Sequence, residues 1–461
     1  MYKKHRIHFV GIGGIGMSGI AEVLINLGYP VSGSDLKPSP LTRRLKSKGA
    51  RIFYGHKKDN VVQAEVVVTS SAIKPTNPEV VEAKNRNIPI IGRAEMLAEL
   101  MRFSKYGVAV SGTHGKTTTT SLVASVLHYG GYDPTMIIGG KVNSLRSNAR
   151  LGKGEFMVAE ADESDGSFLK LSPSIAVVTN IDPEHMDFYK SFDRVKKAYL
   201  EFIHKIPFYG VAVVCVDHPV IEELLPKIEK RVLTYGFSEK AQFRAENIDS
   251  KNGHIDFDFV VFGEKKKRVS LHLIGHHNVL NALAALAVGW ELGIPLVKAI
   301  KALKNFKGVQ RRCQVLLQNN HYTVIDDYGH HPEEIKATLK AIRGAYTGRL
   351  VTLFQPHRYT RTRDMFKEFM AAFDSTNLLL VTDIYPAGEA PISGVHSKNL
   401  VEGLKKNLGE QVRYIPKTAH LVNDVLKWVA PGDILLSLGA GDVTKIGKEC
   451  AKQFKKYGST T

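Results

Sequence analysis

Short apolar runs alternate with amphipathic segments along the 461-residue chain, and that alternation predicts an α/β protein with parallel sheets. Three separate series, each opening on a strand that leads into a glycine-bearing loop, predict three domains over 1–105, 106–312 and 313–461. The length agrees, because a single core seldom grows past ~250–300 residues.

The first series runs through the strand IHFVGIG, a helix over MSGIAEVLINLG, the strand YPVSGSD, the helix LTRRLKSKG and the buried strand AEVVVTSSAI, and closes on IPIIGRAEMLAELM. Gly11, Gly13 and Gly16 form G-x-G-x-x-G between its first strand and helix, with Gly14 and Met17 beside them. Asp35 follows Gly16 by 19 positions, where a ribose-binding carboxylate is expected. Such a turn sets backbone N–H groups and a helix N-terminus against a pyrophosphate. The chemistry serves a nicotinamide dinucleotide or any other pyrophosphate, so this motif alone leaves both open.

The second series opens at KYGVAVSGTHGKTTTTSLVASVLHYGG and continues through EFMVAEADESD, SIAVVTNIDPEH and YGVAVVCVD. From 242 to 274 the pattern switches to period two around turn signals, which predicts a small antiparallel sheet attached to this domain. The third series runs from YTVIDDYGHHPEEI through RLVTLFQP and NLLLVTDIY to DILLSLGAGD.

Hydrophobic residues make up 43% and charged residues 23%, proportions that exclude a disordered or fibrous chain. The richest apolar stretch, VLNALAALAVGWELGI, is broken by Asn281 and Glu291 and reads as a buried helix, so no membrane association is expected. MYKKHRIHFVGIGG passes from charges straight into a strand without a secretory pattern, and a cytoplasmic location is expected. Cys215, Cys313 and Cys450 are too scattered for a disulfide framework or a metal knuckle. The formal charge of +18 comes from scattered short runs such as EKKKR, with no aromatic-interleaved basic stripe. No nucleic-acid partner is expected; the excess reads first as a solvated lysine-rich surface and second as a field that gathers small anionic substrates.

SGTHGKTTTT at 111–120 is the strongest single motif, a glycine loop between an apolar strand and a helix. Backbone N–H groups of Gly112, Thr113, His114 and Gly115 would cradle phosphates, Lys116 would reach the β/γ-phosphates, and the hydroxyl of Thr117, next to Thr118, would ligate Mg²⁺. Two further strand ends bring polar groups: EADESD with Glu160, Asp162, Glu163 and Asp165, and TNIDPEHMD with Asn180, Asp182, His185 and Asp187. Taken alone these read equally as helix caps, but beside a phosphate loop they suit a divalent cation. GHHNVLNALAAL places His277, Asn278 and Asn281 at a helix start, and QPHRYTRTRD carries three arginines whose forks bind carboxylates or phosphates.

GIGGIGMSGIA, SGTHGKTTTT, EADESDGSF, TNIDPEHMD, HHNVLNALAA, GVQRRC, DDYGHHPEE and QPHRYTRTRD occur in the order found in the Mur ligases of peptidoglycan synthesis, and the chain resembles that family over nearly its whole length. DDYGHHP and QPHRYTRTRD look most like the branch that adds L-alanine to UDP-N-acetylmuramate, rather than the sister branch that attaches a recycled tripeptide. The resemblance implies a Rossmann-like first domain that holds a UDP-sugar with no redox cofactor, a central P-loop domain that binds ATP, and a Rossmann-like third domain for the amino acid. It implies ATP and Mg²⁺ as cofactors, UDP-N-acetylmuramate and L-alanine as substrates, and a monomer or weak homodimer. Carried over by motif, Thr117 and Glu160 would hold the metal at the phosphates, and His185 a second ion with Glu160 shared. His277, Asn278 and Asn281 would line the nucleotide, Arg312 would approach its phosphates and Asp327 its ribose. His357, Arg358 and Arg361 would receive the alanine carboxylate, with Tyr328 closing over the site. Lys116, Glu160, His185, Arg358 and Arg361 would carry the catalysis.

Overall fold

The computed structural model describes residues 4–142, 147–251 and 253–457. Three sheets follow one another along the chain. The first is five-stranded and wholly parallel, in the order Arg51–Tyr54, Val31–Asp35, Ile7–Val10, Val66–Thr69, Ile90–Gly92. Its central strand Ile7–Val10 is buried along its full length, His8 included, as a strand covered on both faces must be.

The second sheet has ten strands. Its parallel heart runs Val211–Cys215, Ile175–Val178, Tyr106–Ser111, Phe156–Glu160, Thr135–Val142, and an antiparallel strand Ser147–Arg150 closes that edge. On the other side Val232–Gly236 is followed by Phe243–Lys251, His254–Val261 and Glu264–Leu271. The period-two stretch therefore extends the central sheet, starting from a parallel pairing of Phe243 with Tyr235. An edge strand with unpaired N–H and C=O groups is a ready template for such an addition. The helix Lys116–Gly130 packs here although four threonines and a serine follow its first residue. Thr120 and Ser121 bond back to the carbonyls of Lys116 and Thr117, which makes their burial affordable.

The third sheet is six-stranded, in the order Gln314–Gln318, Thr323–Asp327, Ile434–Leu438, Leu350–Phe354, Leu378–Val381, Val412–Tyr414. Only the first of these pairings is antiparallel. Its two faces carry separate apolar cores, one around Ile335, Phe354 and Phe373 and the other around Leu353, Leu380 and Phe454.

By its internal contacts the chain forms two compact units. One comprises Met1–Asn247, Phe257–Val269 and Leu280–Lys307; the other comprises Ile248–Asp256, Ser270–Val279 and Gly308–Thr461. Among the described residues no helix is long and apolar enough to cross a membrane.

Candidate active site

The strand Tyr106–Ser111 delivers the loop 112–115 to the N-terminus of the helix Lys116–Gly130. Gly112 takes φ +135°, and a Cβ there would lie 2.0 Å from Oγ1 of Thr179, so only glycine fits. The neighbouring strand end pins the loop. Thr113 N donates to the Asn180 carbonyl at 3.1 Å, and His114 N donates to Asn180 Oδ1 at 2.7 Å. The His114 carbonyl accepts from Thr179 Oγ1 at 2.6 Å and Asn180 Nδ2 at 3.1 Å. TNIDPEH thus acts first as a brace for the phosphate loop.

Lys116 Nζ folds back over this loop and donates to the carbonyls of Gly112 (2.6 Å) and Thr113 (3.0 Å) and to Glu163 Oε1 (2.8 Å). Burial works against the lysine's charge, but the Glu163 carboxylate outweighs it and holds the ammonium protonated. Burial pushes Glu163 itself up to about 7. Thr117 Oγ1 donates to Glu160 Oε1 at 3.1 Å, and Glu160 Oε2 accepts from Gly139 N at 2.8 Å. Asn281 reaches the same loop: its Oδ1 accepts from Thr119 Oγ1 at 3.0 Å and lies 2.7 Å from where a Cβ on Gly115 would stand. Thr118 is buried behind it.

In the first sheet the loop Gly11–Gly16 is held from the end of the next strand. Gly11 N and Ile12 N both donate to the Ser34 carbonyl at 2.9 Å, and Gly13 N donates to Asp35 Oδ2 at 2.8 Å. A Cβ on Gly13 would meet that same oxygen at 2.6 Å. Gly14 caps the helix Ile15–Asn26, Met17 is buried in its first turn, and Gly16 packs against the Arg93 side chain. A cavity of about 370 Å³ opens at the ends of the strands Val66–Thr69 and Ile90–Gly92, lined by Ser70, Ser71, Arg93, Asp165, Ser167 and Lys170. Arg93 Nη2 donates to Asp162 Oδ2 at 2.9 Å.

In the unit that contains the third sheet, Arg311 and Arg312 both stand over the Tyr328 ring, 4.8 and 5.3 Å from its centroid. His357 Nδ1 accepts from Arg361 Nη1 at 3.1 Å, and its ring stacks on Tyr385. Burial and the neighbouring His330, Arg361 and Arg358 push His357 down to about 3, so the imidazole is neutral at pH 7 and free to accept. Burial first, then the charge of Arg361, also lowers His330, to about 4. Arg358 is half exposed and takes φ +70°, as Arg311 and Cys313 take +60° and +43°. Non-glycine residues in this region store strain, which clusters at functional loops. Asn278 is buried, and its Nδ2 donates to the Ile274 carbonyl at 2.7 Å; His277 lies against Gly275.

Three family models match the chain in sequence: Mur ligase family catalytic domain over 6–105, Mur ligase middle domain over 110–289, and Mur ligase glutamate ligase domain over 311–441. The chain belongs to the Mur ligase family. Among its relatives, a UDP-N-acetylmuramate–L-alanine ligase of Anaeromyxobacter dehalogenans strain 2CP-1 is 54% identical over 97% of each chain. One from Geobacter sulfurreducens is 55% identical, again over 97% of each. The crystal structure of a UDP-N-acetylmuramate-alanine ligase from Thermotoga maritima superposes with a TM-score of 0.84 at 30% identity, covering 98% of this chain and 100% of that one. A murein peptide ligase from Psychrobacter arcticus shares the fold, with a TM-score of 0.71 at 23% identity over 97% and 98%.

Within this Mur ligase the structure joins some expected partners and separates others. Lys116, Thr117, Glu160 and Asn281 gather at one loop. The contacts of His185 are with Glu163 (3.8 Å) and Glu184 (3.7 Å), so its nearest carboxylates are not the Glu160 expected to be shared. His185 takes φ +57°, and burial lowers its pKa. Asp327 ends the strand Thr323–Asp327. Its buried carboxylate already accepts from Cys313 N and Gly329 N, both at 2.7 Å, and from Thr338 Oγ1 at 3.1 Å. It organises the turn that carries Arg312 and Tyr328. Sequence reasoning missed Glu163 as a partner of Lys116, and it missed Ser70, Ser71 and Arg93. All four stand in strand-end segments, the positions where parallel sheets bind ligands, which is the signal that could have found them.

Proposed function

We propose that this chain joins L-alanine to the lactyl carboxylate of UDP-N-acetylmuramate in the cytoplasm, yielding UDP-N-acetylmuramoyl-L-alanine, ADP and phosphate for peptidoglycan synthesis. The observation that carries the reading is a lysine-bearing phosphate loop in a chain that also holds a second, separate glycine loop for a pyrophosphate. A nicotinamide enzyme has no use for the first; an ATP-driven ligase of a nucleotide sugar needs both. The 54–55% identity to L-alanine ligases over nearly whole chains supports the choice of amino acid.

The lactyl carboxylate attacks the γ-phosphorus of ATP and ADP leaves, giving an acyl phosphate. The amine of L-alanine then attacks the activated carbonyl, and phosphate departs from the tetrahedral intermediate. Two anions must approach one another in the first step, so charge neutralisation is the main contribution asked of the protein. Lys116 Nζ supplies one fixed positive charge. Thr117 and Glu160 would hold Mg²⁺ at the phosphates and His185 a second ion. The donor set fits: a hydroxyl and a carboxylate in contact, with Glu163 Oε2 nearby buried and without a hydrogen-bond partner. When bound, the metal supplies further neutralisation of the triphosphate. His277, Asn278 and Asn281 line the nucleotide, and Arg312 serves its phosphates. Arg358, Arg361 and the neutral His357 receive the alanine carboxylate, with Tyr328 over the site. The loop Gly11–Gly16 and Asp35 hold the UDP moiety, and the cavity at Ser70, Ser71 and Arg93 takes the sugar.

ADP release with ATP, Mg²⁺ and UDP-N-acetylmuramate, compared across L-alanine, glycine, L-serine and the L-Ala-γ-D-Glu-diaminopimelate tripeptide, tests this. Release that depends on L-alanine is expected. Release with the tripeptide alone would make the chain a recycling ligase, and release with none would sink the reading.

A further inference from the structure

Glu79 is a carboxylate with no exposed surface, in a part of the chain to which no role has been given. It stands in the first turn of the helix Pro78–Asn85, with its N–H donating to Asn77 Oδ1. Its side chain draws donors from several other segments of the first domain. Ser34 Oγ donates to Oε2 at 2.6 Å, and Asn60 Nδ2 donates to Oε1 at 2.5 Å. His56 Nδ1 lies 3.2 Å from Oε2 and 3.0 Å from Ser34 Oγ, and His8 Nε2 lies 3.8 Å from Oε2.

One of the residues it grips, Ser34 at 2.6 Å, is also the one that holds the glycine loop. The Ser34 carbonyl accepts the N–H groups of Gly11 and Ile12, and Asp35, next in sequence, accepts that of Gly13. A buried carboxylate is a costly way to stabilise a fold, because its desolvation must be offset and apolar residues of similar volume do as well or better. Such a group is better suited to fixing one geometry among several. We infer that Glu79 is a positioning residue for the pyrophosphate loop: through Ser34 it sets the aim of the Gly11–Gly13 backbone, and so the affinity for the UDP-sugar. This rests on the proposal that the loop binds the UDP moiety.

The test uses the full-length chain and the variant Glu79→Gln, with UDP-N-acetylmuramate affinity measured by calorimetry and both nucleotide KM values by ADP release. The Kd and KM for the UDP-sugar are expected to rise about tenfold, while kcat at saturation and the KM for ATP stay within about twofold. A role in stability alone would lower the active fraction and leave both KM values in place. Ser34→Ala, which deletes the same contact from the other side, should reproduce the selective loss and serves if Glu79→Gln does not fold. An unchanged UDP-sugar affinity in a folded variant, or an equal loss for ATP, overturns the inference. Gly13→Ala separates the two claims. If it too binds the UDP-sugar normally, the loop assignment has failed; if it loses binding while Glu79→Gln and Ser34→Ala do not, only the positioning role has failed.

Discussion

The ammonium of Lys116 has three acceptors here, two loop carbonyls and the Glu163 carboxylate, and a phosphate entering the loop competes with all of them. Replacing Lys116 by alanine removes the one fixed cation of the loop, so turnover should fall by about 10²–10³-fold or more. UDP-N-acetylmuramate binding should stay intact, since the loop proposed to hold it lies in a different sheet. ADP release and calorimetry on the same preparation check both halves; retained turnover would refute the phosphate-loop assignment. The place of Lys116 between a strand, a glycine loop and a helix was legible from GKT following a strand, because backbone geometry dictates those residue types in order. Glu163 was not legible as its partner, since EADESD offers four carboxylates and only the fold decides which one turns inward. The bonds from Cys313 N and Gly329 N to Asp327 were not legible either, since an acidic residue at a strand end does not display which backbone groups the fold turns toward it.

At the scale of elements, the helix Pro78–Asn85 is tied to two strands and the segment His56–Asn60 through one buried carboxylate. Burial alone would raise the pKa of Glu79, but His8, Ser34 and Asn60 outweigh it and bring it from 4.5 down to about 2. A folded-state value below the unfolded one means stability that is fully present above pH 4.5 and lost as the pH falls toward 2. The contribution amounts to up to about 3 kcal/mol, of which roughly 2 kcal/mol is gone by pH 3. Urea unfolding at pH 6 and pH 3 should therefore show a smaller acid loss for Glu79→Gln than for the parent chain; equal losses would contradict the paired carboxylate. The alternation of strands and helices was readable throughout, because parallel strands buried on two faces are apolar runs whatever their partners. The fate of 242–274 was only partly readable. Period two announces strands, but not whether they form a sheet apart or join the edge left open at Val232–Gly236.

For the molecule as a whole, a charge of +18 meets two substrates that are multiply anionic and one, L-alanine, that carries no net charge. Screening shortens the reach of that field from about 10 Å at 0.1 M salt to about 3 Å at 1 M. KM for ATP and for UDP-N-acetylmuramate should therefore climb with ionic strength, and KM for L-alanine should move less. Initial rates in potassium chloride at fixed free Mg²⁺ measure this, and parallel changes in all three would place the basic residues outside substrate capture. The division into two compact units has a consequence for how the chain is made. The later unit includes Ile248–Asp256 and Ser270–Val279, which leave the ribosome before nearly all of the residues they are grouped with. At ~5–20 residues per second, they wait about 10–40 s for the remainder of that unit to be synthesised. During that interval their strand residues have the central sheet to pair with, but the contacts to their own unit are still missing, and that is the window in which a chaperone has most to protect.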